Sequence, residues 1–152
     1  MNAYEQYSTI ERQKLEKLYQ QLKITNYTFT PTNGFDKVEG TFTLAGRKCV
    51  VEAKCRKCRV KDYPSHILEQ PKAAELQQWF TNGYTPLYIN FFWDGVIIYN
   101  LTKRFESDSL EYYGTDLPKN TAGGAGTTSK RVAYLEFNAV LGDKRFGLKK
   151  TS

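Results

Sequence analysis

Asp36, Glu52 and Lys54 are the residues whose types and spacing could do chemistry in this chain. Glu52 and Lys54 end the apolar run Cys49-Val-Val-Glu-Ala-Lys-Cys55, and Asp36 precedes that run by one predicted turn. Two carboxylates can hold a divalent metal through hard oxygen ligands. A lysine beside them can face an anionic substrate or position a water. Together these residues suit hydrolysis of a phosphodiester.

The register of the predicted hairpin decides whether the three side chains can meet. Side chains alternate along a strand, so Glu52 and Lys54 share one face. A two-residue loop at Ala45-Gly46 places Asp36 on the other face. A three-residue loop, 45–47, places Asp36 opposite Arg56 and on the face of Glu52. A bulge elsewhere would have the same effect, so a metal site predicts an odd loop or a bulge. The alternative is a strand that ends in an ordinary ion pair.

The basic residues are concentrated in one part of the sequence. The net charge is +6, from 22 Lys and Arg against 16 Asp and Glu. The segment 47–61 holds seven basic residues and one acid, Glu52. Such a segment favours a polyanionic partner over a merely solvated surface, and we expect nucleic acid. The residues expected to bind it are Arg47, Lys48, Arg56, Lys57, Arg59 and Lys61.

The three cysteines do not make a convincing zinc site. Cys55 and Cys58 have zinc-like spacing, but His66 is the single histidine. Cys49 lies about 20 Å along the strand from Cys55, which is too far for one tetrahedral ion. We therefore expect Cys49 and Cys55 to be buried, reduced thiols.

Periodicity and turn residues predict the elements along the chain. Helices are expected at 4–23 and from Ser65 to about Phe80, with Pro71 causing a kink or a late start. Strands are expected at 26–30, 36–44, 48–55, 86–93, 96–101 and 132–137. Asp94-Gly95 predicts a two-residue hairpin turn, and the aromatics at 90–94 favour the sheet core over a base-stacking platform. Segment 114–131 is expected to be a flexible loop, and 143–152 a basic tail.

Length and hydropathy predict one domain, 1–152, in a cytoplasmic protein. No apolar run reaches the length of a membrane span, and the N-terminus does not resemble a signal peptide. No membrane partner is therefore expected.

The order of these elements resembles the PD-(D/E)XK nuclease superfamily, over about residues 4–101. The resemblance is carried by Gly34-Phe35-Asp36, by Val50-Val51-Glu52-Ala53-Lys54 and by the helix from Leu68 to Trp79. Phe35 stands where the family motif has proline. The resemblance implies an α/β, restriction-endonuclease-like αβββαβ core. Its mixed central sheet would be flanked by helices, with an extra C-terminal hairpin or strand, as in a small phage-type member.

The resemblance also implies roles for individual residues. Asp36, Glu52 and the Ala53 carbonyl would bind Mg²⁺ or Mn²⁺, and Lys54 would orient the attacking water. Accessory positions would be Glu16, with Glu11 equally placed, together with Glu69, Gln70 and Lys72. The implied function is a metal-dependent nuclease of DNA or RNA in a bacterial or phage-infected cell. The alternatives are a catalytically silent module that binds nucleic acid or a protein partner, and a basic structural protein.

Overall fold

A computed structural model describes residues 3–31, 38–118 and 126–136. Its helices are α1 (Ala3–Gln21), α2 (Gln70–Thr81) and α3 (Thr102–Glu106). Its strands are β1 (Tyr27–Phe29), β2 (Gly40–Leu44), β3 (Arg47–Cys55), β4 (His66–Glu69), β5 (Thr85–Phe92), β6 (Gly95–Asn100), β7 (Tyr113–Pro118) and β8 (Thr127–Leu135). Asp36, the tail at 143–152 and the glycine-rich stretch 119–125 lie outside the described residues.

Five strands form the main sheet, in the order β1-β2-β3-β5-β6. The pairing of β3 with β5 is parallel and the other pairings are antiparallel, so this sheet is mixed. A connection through β4 and α2 joins the two parallel strands. In a second sheet, β8 lies between β4 and β7. The strand that bears Glu52 and Lys54 is thus central.

The two long helices belong to two different hydrophobic clusters. Leu15 and Tyr19 of α1 pack with Cys49, Val51 and Ala53 of β3. Ala73 and Leu76 of α2 pack with Val50 of the same strand. Odd and even positions of β3 therefore belong to opposite faces, as strand alternation requires. Glu52 and Lys54 follow Val50 on the face covered by α2.

The β2–β3 hairpin has a two-residue turn, so the expected three-residue loop is wrong. Leu44 pairs directly with Arg47. The turn residues Ala45 and Gly46 both have positive φ, 51° and 78°. Two positive φ angles are the signature of a type I′ turn, whose twist matches the flanking strands.

A bulge-like irregularity occurs further up the same hairpin. Gly40 pairs with Val51, and the amide of the preceding Glu39 also donates to the Val51 carbonyl, at 2.9 Å. Two residues thus face one, as in a β-bulge. Beyond it, Val38 packs in the cluster of Val50. On the N-terminal side of Gly40, the alternation of side chains between the two faces of the sheet therefore shifts by one residue. The metal-site hypothesis required a shift of this kind.

The second sheet corrects several expectations. Residues His66–Glu69 form β4 rather than the start of a helix capped by Ser65, and α2 begins at Gln70 with Pro71 in its first turn. The segment 114–131 is not a loop in its described parts, because 113–118 and 127–135 form the β7–β8 hairpin. Pairing of β8 with β4 supplies the distant partner that local sequence could not reveal. No helix among the described residues is long and apolar enough to cross a membrane.

Candidate active site

Glu52 is a buried carboxylate in the middle of the sheet. Its exposed fraction is 5%, and its Oε2 atom has no hydrogen-bond partner among the described residues. Lys72 Nζ, from the first turn of α2, lies 3.5 Å from the same Oε2 as an ion-pair partner. Burial raises the pKa of Glu52 to about 7, although the charge of Lys72 acts in the opposite direction. This oxygen is therefore short of ligands in a poorly hydrated place.

Lys54 lies two residues further along the same face of β3. It is half-buried, and its register partner on β5 is Asn90. Burial lowers the pKa of Lys54, while the Glu11 carboxylate is the main influence that raises it. Burial therefore disfavours the charged form of Lys54, and a negative group such as a phosphate would favour that form.

The charges of two further acids act on these residues. Glu11 of α1 is buried, with an exposed fraction of 8%, and burial together with the charge of Glu39 raises its pKa. Glu39 precedes β2, and burial raises its pKa against the effect of Arg12, whose Nε lies 3.3 Å from Glu39 Oε2. The charges of Glu11, Glu39 and Glu52 thus interact with those of Lys54 and Lys72.

Sequence reasoning treated Glu11 and Glu16 as equivalent, and it overlooked Glu39. Glu16 is solvent-exposed. Glu11 lies on the apolar stripe of α1, one helical turn before Leu15 and two before Tyr19, and both of those residues are buried. An acid on an apolar stripe was the signal that could have distinguished Glu11. The signal for Glu39 was weaker, since it depends on the bulge.

Arg56 was expected to bind nucleic acid, but its guanidinium is bonded within the fold. Its Nε donates to Asn90 Oδ1 at 2.9 Å, and one terminal nitrogen donates to the Ile67 carbonyl at 2.7 Å and to the Tyr88 hydroxyl at 2.6 Å. A guanidinium can only donate, so the Asn90 oxygen must face it. The Asn90 amide nitrogen is then left buried with no hydrogen-bond partner in the described part of the chain.

The other accessory positions are divided. Lys72 belongs to the site, as described above. Glu69 Oε1 instead pairs with Lys130 Nζ of β8 at 2.8 Å. Gln70 is half-buried at the start of α2. His66 is a core residue, since Nε2 donates to the Val60 carbonyl at 3.1 Å and Nδ1 accepts from the Tyr99 hydroxyl at 2.5 Å.

The basic segment does not form a single patch. Arg47 and Lys48 begin β3, whereas Lys57, Arg59 and Lys61 follow its other end. A nine-residue strand spans nearly 30 Å, so the two groups are far apart. Lys48 Nζ lies 5.7 Å from the ring centroid of Tyr84. The exposed cations nearest in sequence to Lys54 are those of the second group.

The cysteines contribute no chemistry to this site. Cys49 is fully buried and Cys55 and Cys58 are half-buried, so the expectation of burial holds for the first and only partly for Cys55. All three are free thiols. Burial raises the pKa of Cys49 to about 12 and that of Cys55 to about 11. Thiols with such pKa values are poor nucleophiles at neutral pH.

Among the described residues, Glu52 is the candidate ligand for a divalent metal. No group of three His, Cys, Asp or Glu side chains within 3–31, 38–118 and 126–136 is arranged to hold a metal ion. Glu52 nevertheless offers a buried oxygen without a hydrogen bond, which is the type of ligand that Mg²⁺ and Mn²⁺ prefer. Asp36, the second expected ligand, lies outside these ranges. The donor chemistry fits a hard cation.

The fold has a known counterpart. The sequence matches no protein-family model and no curated protein. Among solved structures, the chain is similar to Hjc, a Holliday junction resolvase from the archaeal hyperthermophile Archaeoglobus fulgidus, with a TM-score of 0.51 and 11% identity. The match covers 87% of this chain and 93% of the resolvase. The expected restriction-endonuclease-like α/β fold, with a mixed central sheet flanked by helices, is thereby confirmed.

Proposed function

We propose that this chain is a metal-dependent nuclease that hydrolyses phosphodiester bonds of DNA. The observation that supports this most is the Glu52 oxygen, which is buried, short of hydrogen bonds and accompanied by Lys54 and Lys72. A buried carboxylate of this kind is unfavourable for stability, and such sites are commonly functional. The restriction-endonuclease-like fold and its similarity to a Holliday junction resolvase make phosphodiester cleavage the best-supported reaction.

Each residue has a distinct part in this proposal. Glu52 and the Ala53 carbonyl would hold Mg²⁺ or Mn²⁺, with Asp36 as the second carboxylate. When bound, the cation would lower the pKa of a water and offset negative charge on the phosphate. Lys54 would orient the phosphate or the water and stabilise the negative charge that develops in the transition state. Glu11 would hold Lys54 in its charged form, since the Glu11 carboxylate raises the Lys54 pKa.

One observation favours a second candidate function. Lys72 already lies 3.5 Å from the oxygen that a metal would need. A lysine in that place can replace the cation and leave a stable scaffold without activity. The chain would then be a catalytically silent module that binds nucleic acid or a protein partner through the same fold.

A cleavage assay separates the two functions. Wild-type protein, Glu52→Gln and Lys54→Met are incubated with single-stranded DNA, duplex DNA, a four-way DNA junction and RNA, in Mg²⁺, Mn²⁺ or EDTA. The junction is included because the structural neighbour is a Holliday junction resolvase. If the chain is a nuclease, the wild type should cleave nucleic acid in the presence of metal. Both variants should lose this cleavage and still bind nucleic acid. Binding without cleavage in any metal would support the silent module.

A further inference from the structure

Trp93 is an exposed indole in an otherwise buried aromatic run. It lies in the turn between β5 and β6 and is 71% exposed, whereas the preceding Phe91 and Phe92 are only 5% and 6% exposed. Large aromatic side chains are usually buried, because they offer much apolar surface. The segment 90–94 therefore divides into two core phenylalanines and one aromatic face left to solvent. The expectation that these aromatics all belong to the core is wrong for Trp93.

Hydrogen bonds hold this turn against the segment that follows β3. The Trp93 amide donates to the Cys58 carbonyl at 3.0 Å. The Val60 amide donates to Asp94 Oδ1 at 2.9 Å. These bonds explain why Trp93-Asp94 forms the turn rather than the expected Asp94-Gly95, since Phe92 pairs with Gly95. These hydrogen bonds hold the backbone of Trp93 in place without a bound ligand.

Two cationic residues lie on the segment to which this turn is hydrogen-bonded. Arg59 lies between the two bonded residues Cys58 and Val60, so its backbone runs directly beside Trp93. Arg59 and Lys61 are both solvent-exposed. Two acids also lie on these segments, and each accepts a backbone hydrogen bond: Asp62 Oδ2 from the Arg59 amide at 2.8 Å and Asp94 Oδ1 from the Val60 amide at 2.9 Å. Cationic side chains beside an aromatic face suit a ligand that has both negative charge and a flat ring.

The position of Trp93 relates this surface to the candidate site. Asn90 pairs with Lys54, and Trp93 lies three residues further along the chain, or about 10 Å at the rise of a strand. The Arg56 amide donates to the Phe91 carbonyl at 2.8 Å. The C-terminal end of β3 therefore lies at the same end of the sheet as the C-terminal end of β5. A phosphate held beside Lys54 would therefore lie within a few nucleotides of Trp93.

We infer that Trp93 and Arg59 form a stacking platform for an unpaired nucleotide of the nucleic acid that the Glu52 site holds. Every base has a π-face, but a duplex covers those faces by its own stacking, so only an unpaired or extruded base can lie on the indole. Arg59 would contact the backbone phosphate next to that base. The platform rests on the proposed function, and it would direct the enzyme to branched, gapped or single-stranded regions.

Fluorescence in EDTA tests the platform without any requirement for cleavage. The chain has two tryptophans, so Trp79→Phe leaves Trp93 as the only indole. The probes are a short oligothymidylate and an abasic oligonucleotide of the same length and charge. Stacking predicts that the thymidylate quenches Trp93 emission and that the abasic strand does not. Because Trp79 packs against Tyr84, with ring centroids 4.8 Å apart, the same titration is also made on otherwise wild-type protein and on Trp93→Phe.

Affinity measurements on matched variants complete the test. Trp93→Leu keeps an apolar side chain without a π-face, and its affinity for oligothymidylate should fall about tenfold, with abasic binding almost unchanged. Trp93→Phe should retain most of the affinity, and Arg59→Met should weaken the binding of both probes alike.

Equal effects of Trp93→Leu on the binding of both probes, or no effect on either, would overturn the platform. Loss of self-association in Trp93→Leu, with unchanged thymidylate binding, would also overturn it by identifying a protein interface. A wild type that stacks the base but cleaves nothing would refute the nuclease alone.

Discussion

Lys72 Nζ lies 3.5 Å from Glu52 Oε2, which joins the first turn of α2 to the middle of the central strand. Both groups are drawn away from water, with side-chain exposures of 30% for Lys72 and 7% for Glu52. The ion pair offsets only part of the penalty for burying a carboxylate, because the pKa of Glu52 stays above its ordinary value. A divalent cation on the same oxygen would neutralise more charge, and it would compete with Lys72.

Glu52→Gln should stabilise the protein at alkaline pH. The pKa of Glu52 rises from 4.5 to about 7 on folding, so the folded state holds this proton more tightly than the unfolded chain. Its contribution to stability is complete below pH 4.5 and is lost as the pH rises through about 7. The glutamine removes that loss. A pKa change of this size corresponds to about 3 kcal/mol, and a domain of this length gains about 2–4 °C per kcal/mol. We therefore expect the variant to melt about 6–12 °C above wild type at pH 8.5, with a much smaller difference at pH 4.5.

Thermal melts with and without Mg²⁺ extend this test to the metal. Wild type should melt at a higher temperature in Mg²⁺ at pH 8.5, whereas Glu52→Gln should not respond. Glu16→Gln, which makes the same change at an exposed position, should behave as wild type in every condition. A wild-type melting curve independent of pH between 5 and 8.5 would show that Glu52 is not a strained carboxylate.

Glu11→Gln should reduce nuclease activity, whereas Glu16→Gln should not. Both residues are on α1, but only Glu11 is buried near Lys54. Loss of a residue that supports a metal site typically lowers affinity or activity about 10-fold to 100-fold. The Glu11 charge also raises the Lys54 pKa, so its removal should shift the alkaline limb of the pH–rate profile to lower pH. A uniform fall in rate with an unchanged pH profile would assign Glu11 a structural role only.

Arg56 and Arg59 should differ sharply despite being three residues apart. Arg56→Met leaves Asn90 Oδ1 without its Arg56 donor and leaves the Ile67 carbonyl with the Tyr88 hydroxyl alone of its two side-chain donors. The variant should lower the free energy of unfolding by about 2–4 kcal/mol. Arg59→Met removes an exposed side chain and should change stability by less than about 0.5 kcal/mol. Arg59→Met should instead lower the log–log salt slope of single-strand binding by about 0.7. Denaturant titrations and binding isotherms at several salt concentrations measure both effects; a stable Arg56→Met would disprove the buried network.

The core of this fold could be predicted from sequence because its signals are local. Strand alternation correctly placed Glu52 and Lys54 on one face of β3, and periodicity correctly predicted the helix α1. The incorrect predictions concerned features that depend on pairing between distant strands, or on which residues contact a side chain in the folded protein. Residues His66–Glu69 were predicted to be helical, but they form a strand because β8 pairs with them. Arg56 was predicted to be a surface cation, but its guanidinium is bonded to Asn90 and Ile67, which lie on other strands.

The candidate site was predictable to the extent that it lies on one strand. Glu52 and Lys54 share a face of β3 by alternation alone, and the structure places Lys72 beside Glu52. Glu39 could not be found in this way, because its position depends on an irregular pairing opposite Val51. The proposed role of Asp36 stays a prediction, since that residue lies outside the described ranges.

Gly40→Ala should be among the most damaging small substitutions in the chain. A β-carbon at Gly40 would overlap the carbonyl oxygen of Thr28, a backbone atom of β1 that cannot move aside without breaking the β1–β2 pairing. Gly40 also pairs with Val51 at the bulge that positions Glu39. We expect a loss of about 2–4 kcal/mol in the free energy of unfolding. The fall in activity should be larger than the loss of folded protein explains, because the alignment of Glu39 changes too.

Gly95→Ala is the matched control, since a β-carbon there meets no atom of the described residues within 4 Å. Denaturant unfolding of the two variants measures the difference, and equal stabilities would show that β1 does not approach Gly40 closely.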